Sequence, residues 1–332
     1  MQNILVTGGA GYVGSMLLRE LILKGYKVTC VDKLMFGEES LLDILHNKNF
    51  KFINCDINNY EELNLIFSNN KFDAVIHLAA IVGDPACKLY PDLAIKTNWD
   101  SSKFLMKISQ KNEVSRFIFA STCSNYGKMD DPNEYVNENS KLAPISLYAE
   151  SKVMFENYIL SDLEKISNFS PTVLRFSTVY GMSPRMRFDL TVNEFTKELT
   201  LGKELSIFGE QFWRPYCHVK DFANAFIKVL NSPTKKVAYN VFNVGNTKEN
   251  YTKQMLVEEI KKIIPNSKIK YVIKNDDPRD YKVNCDKIKN ELGYKTTMTI
   301  QDGINEITRA IKENLIQDLD HQKYYNIPHG QK

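Results

Sequence analysis

The sequence predicts an α/β protein: a Rossmann-type, doubly wound parallel sheet followed by a smaller C-terminal α+β region. Three observations predict it. Short β-rich apolar runs alternate with amphipathic stretches from residue 2 to about 176. A glycine-rich turn joins the first run to the first amphipathic stretch, and the alternation breaks after about 178. Apolar strands spaced by helical segments are the signature of a parallel sheet covered on both faces.

The expected strands are Asn3–Thr7, Lys27–Val31, Phe50–Asn54, Ala74–Leu78, Arg116–Ser121 and Thr172–Phe176, each rich in Val, Ile or Phe. Helical periodicity fills the gaps near 12–24, 39–46, 59–68, 91–111 and 145–165. Beyond 178, segment 179–216 carries Gly, Pro and Arg with one helix-like stretch near 189–200, and 219–231 is amphipathic. Residues 237–245 read as a strand able to extend the first sheet, and 253–315 as two or three helices around a strand at Ile269–Ile273. The expected organisation is a nucleotide-binding domain of 1–178 plus about 217–245. Interleaved with it is a substrate-binding region of 179–216 plus about 246–316. The polar tail 317–332, apolar only at Tyr324, Tyr325 and Ile327, either wraps the surface or frays.

Composition removes several classes of function. A chain of 332 residues, 43% hydrophobic and 25% charged, is of the soluble globular kind with a large core. No apolar run approaches the roughly 20 residues that cross a bilayer. Residues Met1 to Val6 run into a strand without a leader-like pattern, so the expected location is cytoplasmic, with no membrane partner. Cys30, Cys55, Cys87, Cys123, Cys217 and Cys285 form no C-x-x-C pair, and the histidines no H-E-x-x-H, so reduced thiols and no metal are expected. The 43 basic and 40 acidic residues are mixed, giving a net charge of +3 with no basic stripe; nucleic acid is not an expected partner.

Gly8-Gly9-Ala10-Gly11-Tyr12-Val13-Gly14 lies between the first strand and the first helix, where backbone N–H groups meet a pyrophosphate without Cβ obstruction. The spacing is G-x-x-G-x-x-G rather than G-x-G-x-x-G. Asp32, at the end of the second strand, accepts hydrogen bonds from ribose hydroxyls and repels a 2′-phosphate, so NAD is the expected cofactor; adjacent Lys33 softens the argument. Asp56, followed by Ile57 past the third strand, has two readings: contact with the adenine amino group, or an ordinary turn residue.

Tyr148 and Lys152 lie four apart on one helical face. An ammonium beside a phenol favours the phenolate, and bringing a tyrosine from about 10 to near neutrality takes roughly 3 units, or about 4 kcal/mol. Such a residue is a competent general base. Alone, Y-x-x-x-K is also what an ordinary surface face looks like. Together with the glycine turn and Phe119-Ala120-Ser121-Thr122-Cys123-Ser124-Asn125-Tyr126-Gly127, it resembles the extended short-chain dehydrogenase/reductase family of NAD-dependent sugar-nucleotide epimerases, dehydratases and dehydrogenases. The resemblance runs from Thr7 through His77-Leu78-Ala79-Ala80, Asn98, Leu174-Arg175-Phe176, Arg214 and His218-Val219-Lys220-Asp221 to Arg279 and Leu292-Gly293-Tyr294.

That resemblance makes Tyr148 the base, Lys152 the residue that binds the nicotinamide ribose and lowers the Tyr148 pKa, and Thr122 the hydroxyl that bonds the reacting oxygen. It passes Leu78, Ala79 and Ala80 close to the cofactor and has Asn98 tie the following helix to the sheet. On the substrate side it implies Val82, Cys123, Ser124, Thr178 and Asn193, with Arg214 and Arg279 clamping a diphosphate. His77 and His218 match structural positions. Phe212 and Trp213 stack on a base or serve the core, and a homodimer or homotetramer is implied.

A 4,6-dehydratase carries an Asp-Glu pair after the catalytic threonine; here the residues are Cys123 and Ser124, which disfavours elimination. A 3,5-epimerase/reductase needs a Cys and a His that this pattern does not place. Oxidation at C4 of a nucleotide sugar remains, as the whole reaction or as half of a 4-epimerisation. Ala80-Ile81-Val82-Gly83-Asp84-Pro85 and Ser121 to Gly127 look like the branch containing the bacterial GDP-heptose 4-dehydrogenases of capsule biosynthesis. Thr178 stands where many relatives have an asparagine. An inactive NAD-binding scaffold is the contrasting reading, opposed by retention of both Tyr148 and Lys152.

Overall fold

The computed structural model describes residues 2–129, 131, 134–161, 168–273 and 279–327. Strands β1 (Asn3–Thr7), β2 (Lys27–Asp32), β3 (Phe50–Asn54), β4 (Ala74–His77), β5 (Arg116–Thr122) and β6 (Ser170–Phe176) form where the apolar runs predict them. After them come β7 (Thr178–Tyr180), β8 (Glu204–Phe208), β9 (Trp213–His218), β10 (Asn240–Val244), β11 (Asn250–Thr252) and β12 (Lys268–Val272). Seven strands make one parallel sheet in the order β10-β6-β5-β4-β1-β2-β3. Asn243 on β10 pairs with Arg175 on β6, so the strand read at 237–245 does extend the first sheet.

Alternation along the strands divides the core. Ile4 and Val6 join Leu17, Leu21 and Phe226 on one face, while Leu5 joins Leu63, Leu105, Phe117 and Phe155 on the other. From β1 the chain proceeds outward to β2 and β3, then crosses back to β4, so the strand order reverses between β1 and β4. The crevice beyond the C-terminal ends of those strands is where such a sheet accepts a ligand.

The stretch 91–111, expected as one helix, is three pieces: a helix Pro91–Ile95, a π turn Lys96–Ser101 and a helix Ser102–Lys111. The extra residue in the π turn lets two side chains reach opposite structures. The Asn98 carboxamide bonds both the N–H and the carbonyl of Ile81, at 2.8 and 3.0 Å, while Ser102 Oγ meets His77 Nε2 at 2.8 Å. Similarly, 39–46 contains a 3-10 segment Glu39–Ile44. The helix Leu147–Leu160 is N-capped by Ser146, and the end of the stretch expected at 145–165 lies outside the described residues. His77 is buried between Thr7 and Ser102, which pushes its pKa down to about 3.

After β6 the strands are short and pair among themselves, β11-β9-β7 in one sheet and β12-β8 in another. Helices Thr191–Thr200, Lys253–Ile263 and Ile300–Lys312 close a further core around Val192, Leu199, Leu256, Ile260 and Ile304. With a helix Asp286–Leu292, three helices form in 253–315, where two or three are expected. No described helix is long and apolar enough to cross a membrane.

The tail wraps rather than frays as far as residue 327. Lys197 Nζ, almost wholly buried, bonds Asp320 at 2.6 Å and the Tyr325 hydroxyl at 2.8 Å. Ile327 packs with Ile81, Ala86 and Ala94 beside Leu147 and Tyr148.

Candidate active site

A cavity of about 240 Å³ opens at the C-terminal ends of β1, β2, β4 and β5, at the reversal of strand order. Gly8 leaves β1 with φ +76°, and a Cβ there would sit 2.6 Å from the Ala79 nitrogen; one on Gly14 would strike the Gly8 carbonyl oxygen. Only glycines allow this approach of turn, strand end and helix Tyr12–Leu23, whose free N–H groups then line the cavity. The bare backbone cradle fits a dinucleotide pyrophosphate.

At the adjoining wall, Asp32 accepts from Ala10 N at 3.0 Å and Leu34 N at 2.8 Å, one on each oxygen. Burial raises its carboxyl pKa, opposed by these N–H groups and by Lys33. Lys33 itself is paired with Asp56 at 3.1 Å, so its charge is matched by a neighbouring carboxylate. Asp56 lines the cavity, and its other oxygen accepts from Asn58 N at 3.0 Å as a turn residue does.

Thr122 ends β5, and Tyr148 and Lys152 project from the helix Leu147–Leu160; all three line the cavity. Thr122 Oγ1 accepts from Ser124 N at 3.1 Å, which leaves its proton to be donated into the cavity. Lys152 Nζ donates to Ala120 O at 2.8 Å and lies 4.6 Å from the Phe119 ring centre; burial lowers its pKa to about 8. One turn further on, Glu156 forms a buried two-pronged pair with Arg175 and accepts from Ser121 Oγ and from Asn125 Nδ2, tying β5, β6 and this helix together.

Burial raises the pKa of the Tyr148 phenol, Cys87 and Asp84 add to the rise, and Arg187 opposes it. The Lys152 ammonium is engaged by the Ala120 carbonyl in this arrangement.

Of the residues expected to hold the cofactor, all but Asn98 line the cavity; Asn98 stands behind it, holding the Ile81 backbone. On the substrate side only Val82 and Thr122 line it. Around Tyr281 a second group assembles. The Arg214 guanidinium lies 5.4 Å from the Tyr281 ring centre, Ser124 is close enough to act on the Tyr281 phenol, and Cys123 shares its buried cluster. Arg279 pairs with Asp84 at 2.9 Å, and Asp84 accepts from Ser146, the cap of the Tyr148 helix, at 2.6 Å.

Three expected substrate contacts point elsewhere. The Cys123 thiol, 1% exposed, donates to the Arg175 carbonyl at 3.3 Å. Asn193 spends its amide on Gly181 N, Arg187 O and the Tyr12 hydroxyl, at 2.9, 2.8 and 3.2 Å. Thr178, paired with Tyr216 on β9, does not line the cavity. His218 caps the helix Val219–Leu230 and bonds Glu306 at 2.7 Å, in keeping with a structural role, and Trp213 packs on the Cys123 cluster. Sequence reasoning missed Phe36, Arg185, Arg187 and Asn326 in the cavity wall, and Tyr281 beside it. The two arginines in Pro184-Arg185-Met186-Arg187 were the available signal.

Comparison with known proteins agrees with this geometry. The sequence model of the NAD dependent epimerase/dehydratase family matches residues 4–245. The chain is 29% identical over 327 residues to a UDP-glucuronate 4-epimerase of Thermodesulfobacterium geofontis, covering 95% of this chain and 98% of the relative. The UDP-glucose 4-epimerase of Thermotoga maritima, solved with UDP-glucose, matches with a TM-score of 0.82 at 30% identity, over 95% of this chain and 100% of that one. A dTDP-glucose 4,6-dehydratase of Bacillus anthracis in complex with NAD matches with a TM-score of 0.82 at 26% identity, over 95% and 97%.

Proposed function

Because the chain belongs to the NAD dependent epimerase/dehydratase family, we propose that it oxidises C4 of a nucleotide-activated sugar, with Tyr148 as the base that takes the hydroxyl proton. The observation that carries this reading is the convergence of Thr122, Tyr148 and Lys152 on the cavity that also holds the glycine turn and Asp32. The chemistry supplied by bound NAD is hydride acceptance. Asp32 and the turn hold its adenosine and pyrophosphate end, and Thr122 donates its free proton to the reacting oxygen while the Tyr148 phenol faces it. Lys152, charged at neutral pH, stabilises the phenolate as it forms once a ligand draws it from the Ala120 carbonyl. Arg214 and Arg279, flanking Tyr281, receive the sugar diphosphate. Cys123, buried and pushed up in pKa by that burial, supplies no acid for elimination.

Two completions of the reaction are distinguishable. Return of the hydrogen to the opposite face of C4 makes a 4-epimerase, as the relatives are named. Net oxidation of a GDP-heptose is the finer reading, supported by the likeness of Ala80 to Pro85 and Ser121 to Gly127. The test is incubation with UDP-, dTDP- and GDP-sugars in deuterated water. A 4-epimer that keeps its C4 hydrogen selects epimerisation, and a 4-keto sugar with NADH selects oxidation. A 4-keto-6-deoxy product, or no turnover with any sugar, overturns the proposal.

A further inference from the structure

Arg185 sits in the segment between β7 and the helix Thr191–Thr200 and is 6% exposed, yet its Nε and Nη2 have no hydrogen-bond partner among the described residues. Its guanidinium carbon lies 4.0 Å from the centre of the Phe36 ring, just beyond the Asp32 end of β2. The nearby carboxylates are engaged: Asp32 accepts from Ala10 and Leu34, and Asp189 holds Arg187 through two bonds of 2.9 Å. A buried cation left in this state is costly unless an anion joins it. Burial and the charge of Arg187 lower its pKa to about 9, which still leaves it protonated at neutral pH.

Its position relative to the glycine turn is fixed. Ser183 Oγ donates to Tyr12 O at 2.6 Å and meets Ser15 Oγ at 3.0 Å, Arg185 N donates to Ser15 Oγ at 3.4 Å, and the Tyr12 hydroxyl donates to Gly181 O. Tyr12 and Ser15 belong to the first turn of the helix whose N–H groups line the same cavity. Two anion-seeking features, a helix N-terminus and a planar fork of donors, therefore line one cavity and are braced against each other.

We infer that Arg185 is a cofactor-binding residue that takes the diphosphate of NAD against the N–H groups of the glycine turn, so that the segment after β7 closes the cofactor site. This rests on the NAD-binding reading of that cavity. It places a cofactor contact at a residue far from the fingerprint in sequence but beside it in the fold, on the same segment that carries Arg187 near Tyr148.

The test titrates cofactor-free full chain with ADP-ribose, which carries the diphosphate, and with adenosine, which lacks it, adenosine being read by displacement of bound NADH. Arg185→Met is expected to weaken ADP-ribose and NAD about 10- to 100-fold while leaving adenosine within about twofold. Arg185→Lys, which keeps the charge without the fork, recovers part of the loss. Arg185→Met also removes an unpartnered buried charge, so its cofactor-free melting temperature rises while the increment added by NAD shrinks. ADP-ribose binding unchanged in both variants, or adenosine weakened as much as ADP-ribose, overturns the inference. A wild-type chain that binds neither NAD nor ADP-ribose overturns the cofactor reading itself and this inference with it.

Discussion

The ammonium of Lys152 lies 5.9 Å from the centre of the Tyr148 ring and donates to the carbonyl of Ala120 at 2.8 Å. Burial brings its pKa from the ordinary 10.5 to about 8. The unfolded chain thus binds more protons between those values, and this group makes stability rise with pH from about 8 to 10.5; at pH 7 the buried charge costs on the order of 3 kcal/mol. Lys152→Met should accordingly melt higher than wild type at pH 7 without cofactor, with the gap narrowing as pH approaches 10. A variant that melts lower at pH 7 would contradict this.

Tyr148→Phe removes the proposed base and little else, because the ring keeps its place against Ile81, Leu147 and Ile327. Turnover should fall by about 10²- to 10⁴-fold, with the dissociation constant for NAD within about threefold of wild type. Steady-state rates and NADH fluorescence titration read the two quantities separately.

Lys33 is held by Asp56 in a pair whose side chains are 32% and 36% exposed. Asp56→Ala releases the ammonium beside the proposed ribose site, and the preference for NAD over NADP should shrink about threefold to tenfold, the range of a half-exposed ion pair. Asp32→Ala, which removes the repelling carboxylate, should shrink it further. Dissociation constants for both dinucleotides check the order of the two variants.

His77, buried and neutral, is pushed down to about 3 from 6.5. The unfolded state gains the proton first as pH falls, so the stability tied to this residue is present above about 6.5 and is lost on the way to 3. His77→Asn should be less stable than wild type at pH 7 by about 1–3 kcal/mol through broken bonds to Thr7 and Ser102. Its stability should then decline less steeply between pH 6.5 and 4, as urea melts across that range would record.

Arg175→Met leaves Glu156 as a buried charge with Ser121 and Asn125 as its remaining donors among the described residues. The expected cost is about 3–5 kcal/mol, and adding Glu156→Gln to it should restore part of the loss. Equal stability of the single and double variants in urea would show that the pair is not what holds β5, β6 and the Tyr148 helix together.

The first six strands were legible because their apolar runs serve a sheet covered by helices, nearly continuous in β1, β4, β5 and β6 and thinner in the edge strand β3, and Gly8 and Gly14 because their backbone contacts exclude any Cβ. Tyr148, Lys152 and Thr122 stood out by residue type and spacing, and the fold brings all three to one cavity at the end of β5 and its neighbouring helix. Other features left no trace in the residue pattern. The π turn at Lys96–Ser101 changes hydrogen-bond register without changing apolar spacing. Three-residue strands such as β7 and β11 are too short for periodicity. Asn193 has the right chemical type for a sugar contact, but its direction is set by Tyr12, 181 positions earlier in the chain. Arg185 becomes meaningful only when folding sets it over Phe36.

Ile327, seated against Tyr148 and Ala94, gives the site a dependence on order of synthesis. A chain made from its N-terminus completes the sheet and the tyrosine helix while the tail is still being translated. Until residues 319–327 emerge and dock, Ile81, Ala86 and Ala94 lack one of their apolar neighbours, and Lys197 lacks Asp320 and Tyr325. A ribosome-bound chain halted near residue 318 would therefore present this wall of the pocket to chaperones and proteases as open apolar surface, although its strands are all in place.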